Sequence, residues 1–236
     1  MEVAVSILNE KDNYENAIKK INNTNANYLH LDIMDNTFTN TISFTYENAK
    51  KISQLNNKKL DIHIMSTELD NILDEYIKLK PDIISIHYES KDDINDYIKK
   101  IKDNNIKCSL AINPDTNISE IYEYLDKIDM VLVMSVYPGK GGQTFIMNTI
   151  DKIKSLNKLK NNHKILIEVD GGINNETIKY VRNYIDIAVS GSYITNSDNY
   201  QNKINQIINY NDWLFFYVNK GQIPTTPLDK WGGGIW

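Results

Sequence analysis

The sequence predicts an α/β chain folded as a (β/α)8 barrel, and three observations carry that reading. Short β-branched or apolar runs alternate with longer amphipathic segments, the pattern of a parallel sheet with helices packed outside it. Eight such pairs fit within residues 1–210, as a closed barrel requires. The first strand runs into Ile7-Leu8-Asn9-Glu10, which contains no glycine. A doubly wound open sheet, the alternative, usually has fewer strands and a Gly-rich turn at that point.

The predicted strands are, in order, Val3–Ile7, Asn27–Ile33, Lys59–Ile64, Asp82–His87, Ile106–Ala111, Met130–Met134, Lys164–Val169 and Ile187–Ser190, each a short β-branched or apolar run. The segments between them have apolar residues at a spacing of about 3.6, as in Asn71-Ile72-Leu73-Asp74-Glu75-Tyr76-Ile77. Capping residues agree. Asp115-Thr116-Asn117 precedes a helix over Ile118–Leu125, and Asn174-Asn175-Glu176 precedes one over Thr177–Tyr184. No linker rich in Pro, Gly or Ser interrupts residues 1–210, so they read as one barrel domain. Residues 211–236 follow neither period. They read as a C-terminal extension with Trp213-Leu214-Phe215-Phe216-Tyr217 and Trp231-Gly232-Gly233-Gly234-Ile235-Trp236. Such a tail can pack over the barrel, remain disordered or cover a subunit interface, so a homo-oligomer is one expectation.

Composition excludes several function classes. With 31 acidic against 26 basic residues, a net charge of −5 and no basic run, binding nucleic acid by neutralising phosphates is not expected. No stretch approaches the roughly 18 apolar residues of a membrane span. The start, Met1-Glu2-Val3-Ala4-Val5, lacks the basic region of a signal peptide. The single cysteine, Cys108, rules out an internal disulfide, and a cytoplasmic location follows as the expectation.

In a barrel the reacting groups sit at the C-terminal ends of the strands. The second strand offers His30, Asp32 and Met34 at i, i+2 and i+4, hence on one face. The third offers His63 and Met65 on the same alternation, the sixth ends in Met134, and the seventh runs to Asp170. Two imidazoles and two carboxylates can therefore converge at one end of the barrel, and a divalent cation is the simplest remedy for burying the acids. Those donors suit Zn²⁺, Mn²⁺, Fe²⁺ or Co²⁺. His87 and Glu89, two residues apart, read as support for the site or as core. His163, in Asn161-Asn162-His163-Lys164, reads as a solvated turn, and Cys108 as a small core residue. Three glycine loops follow the last three strands: Pro138-Gly139-Lys140-Gly141-Gly142-Gln143, Asp170-Gly171-Gly172 and Ser190-Gly191-Ser192. Backbone N–H groups in such loops can hold a phosphate.

These motifs resemble the ribulose-phosphate 3-epimerase family over residues 3–208. The resemblance rests on His30-Leu31-Asp32-Ile33-Met34-Asp35, Asp61-Ile62-His63-Ile64-Met65, Ala111-Ile112-Asn113-Pro114, Val131 through Gln143, Glu168-Val169-Asp170-Gly171-Gly172 and Val189-Ser190-Gly191-Ser192. It implies a metal-containing barrel of the ribulose-phosphate-binding type. It also implies interconversion of ribulose 5-phosphate and xylulose 5-phosphate in the pentose phosphate pathway, through an enediolate. The family's metal ligands fall on His30, Asp32, His63 and Asp170, holding one divalent ion per subunit, and its acid/base pair on Asp32 and Asp170. Its substrate contacts fall on Ser6, His63, Met34, Met65 and Met134, and its phosphate positions on Gly139, Lys140, Gly141, Gly142, Gly171, Gly172, Gly191 and Ser192.

The chain departs from the family at Asp35-Asn36-Thr37-Phe38-Thr39-Asn40-Thr41, at Val5, where a proline is usual, and beyond Asn211. Rival readings are epimerisation of another phosphoketose such as allulose 6-phosphate, which needs extra room near the 36–41 loop, and a phosphosugar-binding barrel without turnover. A decarboxylase of the orotidine phosphate type is disfavoured, because its Asp-x-Lys-x-x-Asp run is absent.

Overall fold

The computed structural model describes residues 1–91 and 93–209; the extension expected over 211–236 lies outside them. The strands are β1 (Glu2–Ser6), β2 (Tyr28–Met34), β3 (Lys59–Met65), β4 (Ile83–His87), β5 (Lys107–Ile112), β6 (Met130–Met134), β7 (Leu166–Asp170) and β8 (Ile187–Ser190). They pair in parallel in sequence order, and β8 closes on β1. The expected barrel is therefore present, with strand bounds within two residues of the sequence reading.

The helices are α1 (Tyr14–Asn22), α2 (Tyr46–Leu55), α3 (Leu69–Ile77), α4 (Asn95–Asp103), α5 (Thr149–His163), α6 (Ile178–Val181), α7 (Ser192–Thr195) and α8 (Tyr200–Ile208). Among the described residues no helix is long and apolar enough to cross a membrane.

Alternation along each strand separates two interiors. Val3, Val5, Leu29, Leu31, Ile33, Ile62, Ile64, Ile84, Ile86, Val131 and Val133 point outward and form the main core with the buried helix faces. Cys108 belongs to the same layer and is buried. The inward set is sparser in apolar residues. Ala4, Tyr28, Ile83, Met130, Ile187 and Val189 cluster together, and Ala111, Leu132, Met134 and Val136 form a second group. Between them stand fully buried polar side chains, including His30, Asp61, His63, His87 and Glu168. A barrel interior normally filled by branched apolar residues is polar here along β2, β3 and β7.

The end opposite the strand C-termini is tied by a repeated device. Asn27, Asp82, Asp129 and Asp186 each stand just before an even-numbered strand. Each accepts a backbone N–H from the preceding odd strand, at Val3 (3.1 Å), Leu60 (2.9 Å), Cys108 (2.9 Å) and Ile167 (2.9 Å). These bonds hold the rim that carries no chemistry, leaving the opposite rim free to vary.

Three expectations are corrected. Residues Ile118–Tyr124 form a 3-10 helix. Ile118, Ile121 and Tyr124 recur every three residues, so this winding stacks them on one face against the core. The helix expected over Thr177–Tyr184 contracts to α6, because Tyr184 N–H turns back to the Val181 carbonyl at 2.8 Å. Its N-cap is Thr177, without a side-chain cap bond, and Asn174 Oδ1 instead orders the preceding turn by accepting the N–H groups of Glu176 and Thr177. His163 is the last residue of α5, not a turn residue, and its Nδ1 lies 2.7 Å from Asp126 Oδ1.

Candidate active site

The parallel register of β2 and β3 sets His30 beside Asp61 and Asp32 beside His63. His30 Nδ1 lies 2.5 Å from Asp61 Oδ2, which turns Nε2 toward Asp32 Oδ1 at 3.4 Å. His63 Nδ1 approaches the same Asp32 oxygen at 3.2 Å. Ser6, ending β1, donates its hydroxyl hydrogen to Asp32 Oδ2 at 2.7 Å and leaves Oδ1 to the two rings. Asp170 arrives from β7, and one ligand atom each from His30, Asp32, His63 and Asp170 lie within 4.8 Å of one another.

These residues fit a divalent cation. Donors bound at about 2.0–2.2 Å stand roughly 3.0–3.5 Å apart around an ion, and the two Asp32–imidazole separations fall in that range. His30 Nε2 is buried without a hydrogen-bond partner, an orphaned atom of the kind a metal satisfies. His30, Asp61 and Glu168 form a second close group behind the first, with donor atoms again within 4.8 Å.

The protonation pattern follows from burial and charge. Burial raises Asp32, but the His30 and His63 rings outweigh it and hold the carboxyl well below its usual range. Asp170 is pushed up to about 7, first by burial and then by the charge of Asp32. Glu168 is raised well above the carboxylate range by burial and by Asp61. Burial lowers His30, yet Asp61 and Asp32 carry it well above its ordinary value. His63 falls to about 4, mainly through burial. Two carboxyls at one site, one strongly acidic and one weakly, are what a proton-moving pair needs.

Above this cluster a cavity opens at the C-terminal ends of the strands. Of the expected substrate contacts, Ser6, Met34, Met65, Met134, Gly139, Lys140, Gly141, Gly142, Gly171, Gly172, Gly191 and Ser192 all line it, together with Asp32 and Asp170. His30 and His63 lie deeper and are fully buried. Side chains hold the loops in place. Gln143 Nε2 donates to the carbonyls of Tyr137 (2.7 Å) and Lys140 (2.8 Å), and Ser135 Oγ donates to the Asp170 and Gly171 carbonyls (2.8 and 2.6 Å).

Gly172 needs to be glycine for two reasons. Its φ is +64°, and a Cβ would stand 2.5 Å from the Phe145 backbone nitrogen. Gly141 differs, because a Cβ there meets only the tip of Asn9. Gly172→Ala should therefore cost about 2 kcal/mol or more, a fall in melting temperature of at least roughly 4–8 °C. Gly141→Ala should cost less than about 1 kcal/mol. Paired thermal melts check this, and equal losses would refute the backbone argument.

The sequence reading missed Asp61 and Glu168, although each precedes a named residue by two and so shares its face. It also missed Leu8 and Asn9, which line the cavity from the turn after β1. The 36–41 loop is closed by Asn36 N–H donating to the Thr41 carbonyl at 3.0 Å, with Asn36 at φ +69°. Its Phe38 ring lies against His87, centroids 4.5 Å apart.

Comparison with known proteins gives concordant results. The sequence model of the ribulose-phosphate 3 epimerase family matches residues 2–195. A ribulose-phosphate 3-epimerase of Buchnera aphidicola subsp. Baizongia pistaciae is 38% identical over 181 residues, covering 74% of this chain and 79% of the relative. That of Bacillus subtilis is 32% identical over 196 residues, covering 81% and 90%. Among solved structures, 3-hexulose-6-phosphate synthase from Salmonella typhimurium superposes with a TM-score of 0.64 at 14% identity, over 89% of this chain and 100% of that one. At that identity the likeness shows the fold alone.

Proposed function

The chain belongs to the ribulose-phosphate 3-epimerase family, and from that membership we propose that it interconverts D-ribulose 5-phosphate and D-xylulose 5-phosphate at this cavity. The observation that carries the proposal is the convergence of His30, Asp32, His63 and Asp170 below a cavity rimmed by three glycine loops. Inverting a carbon next to a ketone requires removing its proton and returning one to the opposite face, through a planar enediolate. Asp32 and Asp170 stand on strands that are not neighbours, and in this reading they flank the sugar and exchange roles with the direction of reaction. One divalent ion, Zn²⁺, Fe²⁺, Mn²⁺ or Co²⁺, held by the four ligands would supply positive charge where the oxygen becomes negative.

The remaining residues bind and exclude water. The amides of Gly139 to Gly142, Gly171, Gly172, Gly191 and Ser192 receive the phosphate, with Ser6 as a further substrate contact; His63, expected as another, is fully buried below the cavity and is left to the cation site. Met34, Met65 and Met134 form a polarizable apolar wall. We further propose a cytoplasmic location, where the thiol of Cys108 stays reduced.

The test is proton exchange. The protein, with and without a chelator, is incubated with ribulose 5-phosphate in deuterated water. Deuterium at the third carbon together with xylulose 5-phosphate, both lost on chelation, is the expected result. No exchange in metal-replete protein overturns this substrate. Exchange with allulose 6-phosphate instead would reassign it to a six-carbon sugar.

A further inference from the structure

We propose that Glu89 and His87 are positioning residues that set the tautomer of His63, so that its Nδ1 lone pair faces the cation site. This rests on the reading of His63 as a metal ligand. His63 uses both ring nitrogens. Nδ1 faces Asp32, and Nε2 lies 2.9 Å from His87 Nε2. His87 Nδ1 in turn lies 3.0 Å from Glu89 Oε2. The other oxygen of Glu89 accepts the Asn113 backbone N–H at 2.8 Å and the Thr116 hydroxyl hydrogen.

The hydrogen positions then follow in order. A carboxylate only accepts, so His87 Nδ1 carries a hydrogen directed at Glu89. The two facing Nε2 atoms hold one hydrogen between them, and with His87 already carrying its own on Nδ1 the proposal assigns that hydrogen to His63 Nε2. His63 Nδ1 is left with a lone pair facing Asp32, which shares the cluster with His30 and Asp170. Packing fixes the ring planes. His87 is fully buried, its ring meeting that of His63 edge to edge, with centroids 5.0 Å apart and planes 28° apart, and Phe38 lies against it. A ligand histidine normally gives its other N–H to an acceptor that fixes its orientation. Here that acceptor is a second imidazole, itself oriented by a carboxylate on the loop after β4.

Cobalt binding to the full-length protein tests this, read from the Co²⁺ absorption spectrum in competition with a chelator. His87→Phe, which removes the acceptor, should weaken Co²⁺ binding about 10–100-fold. His87→Gln, whose carbonyl oxygen can accept from His63 Nε2, should recover most of the loss. Thermal melts of the metal-free variants distinguish this from general damage, because a purely structural role lowers both melts without ordering the affinities. In zinc-loaded protein labelled with ¹⁵N-histidine, His63 should show a metallated Nδ1 and a protonated Nε2. Metal on Nε2, unchanged affinity in His87→Phe, or no recovery in His87→Gln would overturn the proposal. Wild-type protein that takes up no cobalt would instead defeat the metal reading itself, and this inference with it.

Discussion

Asp170→Asn should lower interconversion of the two pentulose phosphates roughly 10²–10⁴-fold, while one of them continues to exchange its proton with solvent. The proposed mechanism has two bases on opposite faces of the sugar. With Asp170 unable to take or give a proton, Asp32 can still remove one from the epimer that presents it to that side. The proton then returns from the same side, so deuterium enters without inversion. Asp32→Asn should give the complementary pattern, with exchange confined to the other epimer. The measurement is deuterium content at the third carbon, starting from each epimer, with metal content checked in every sample. A variant that epimerises within tenfold of wild type would remove that aspartate from the acid/base pair. Exchange of both epimers in both variants would mean that neither aspartate is confined to one face of the sugar. The asymmetry between a strongly acidic Asp32 and an Asp170 near 7 has its cause in the site itself, since the two rings beside Asp32 favour its anion and that anion then disfavours a second.

The fold was legible because inward and outward faces alternate on every strand, and the outward face must be apolar to receive the helices. That face, Val3, Val5, Leu29, Leu31, Ile62, Ile64, Val131 and Val133, is what marked each strand. The helices were less legible where winding was decided by packing. At Ile118, Ile121 and Tyr124 a period of three carries a 3-10 turn, while the surrounding cap residues suit an α-helix equally well. The site was legible at its mouth, since every glycine among residues 1–210 falls in the three loops after β6, β7 and β8. Its depth was not. Asp61 and Glu168 sit one pleat below His63 and Asp170, where a barrel ordinarily has branched apolar side chains, so a search confined to strand ends passes over them. The link from His63 through His87 to Glu89 joins two strands and a loop, and only the register of β3 against β4 brings those rings together.

The same buried polar layer predicts a large dependence of stability on the cation. Four carboxyls, Asp32, Asp61, Glu168 and Asp170, crowd the barrel interior with two imidazoles from His30 and His63. The metal-free protein manages this by protonating some groups and leaving atoms such as His30 Nε2 and Asp61 Oδ1 without partners. A cation that binds only the folded state relieves both costs. At a concentration about 1,000 times its dissociation constant it adds about 4 kcal/mol. For a domain of this size that raises the melting temperature by roughly 8–16 °C. Scanning calorimetry with Co²⁺, Mn²⁺ or Zn²⁺ against a chelated sample measures it. The shift should be smaller at pH 5 than at pH 8, because protons compete for the same ligand atoms. His30→Gln, which removes one ligand while retaining a polar side chain, should abolish most of it. Equal melting temperatures with and without every one of these ions would mean that the cluster is a hydrogen-bonded core, stable on its own terms. The electrostatic assistance assigned to an ion in epimerisation would then have no place to act from.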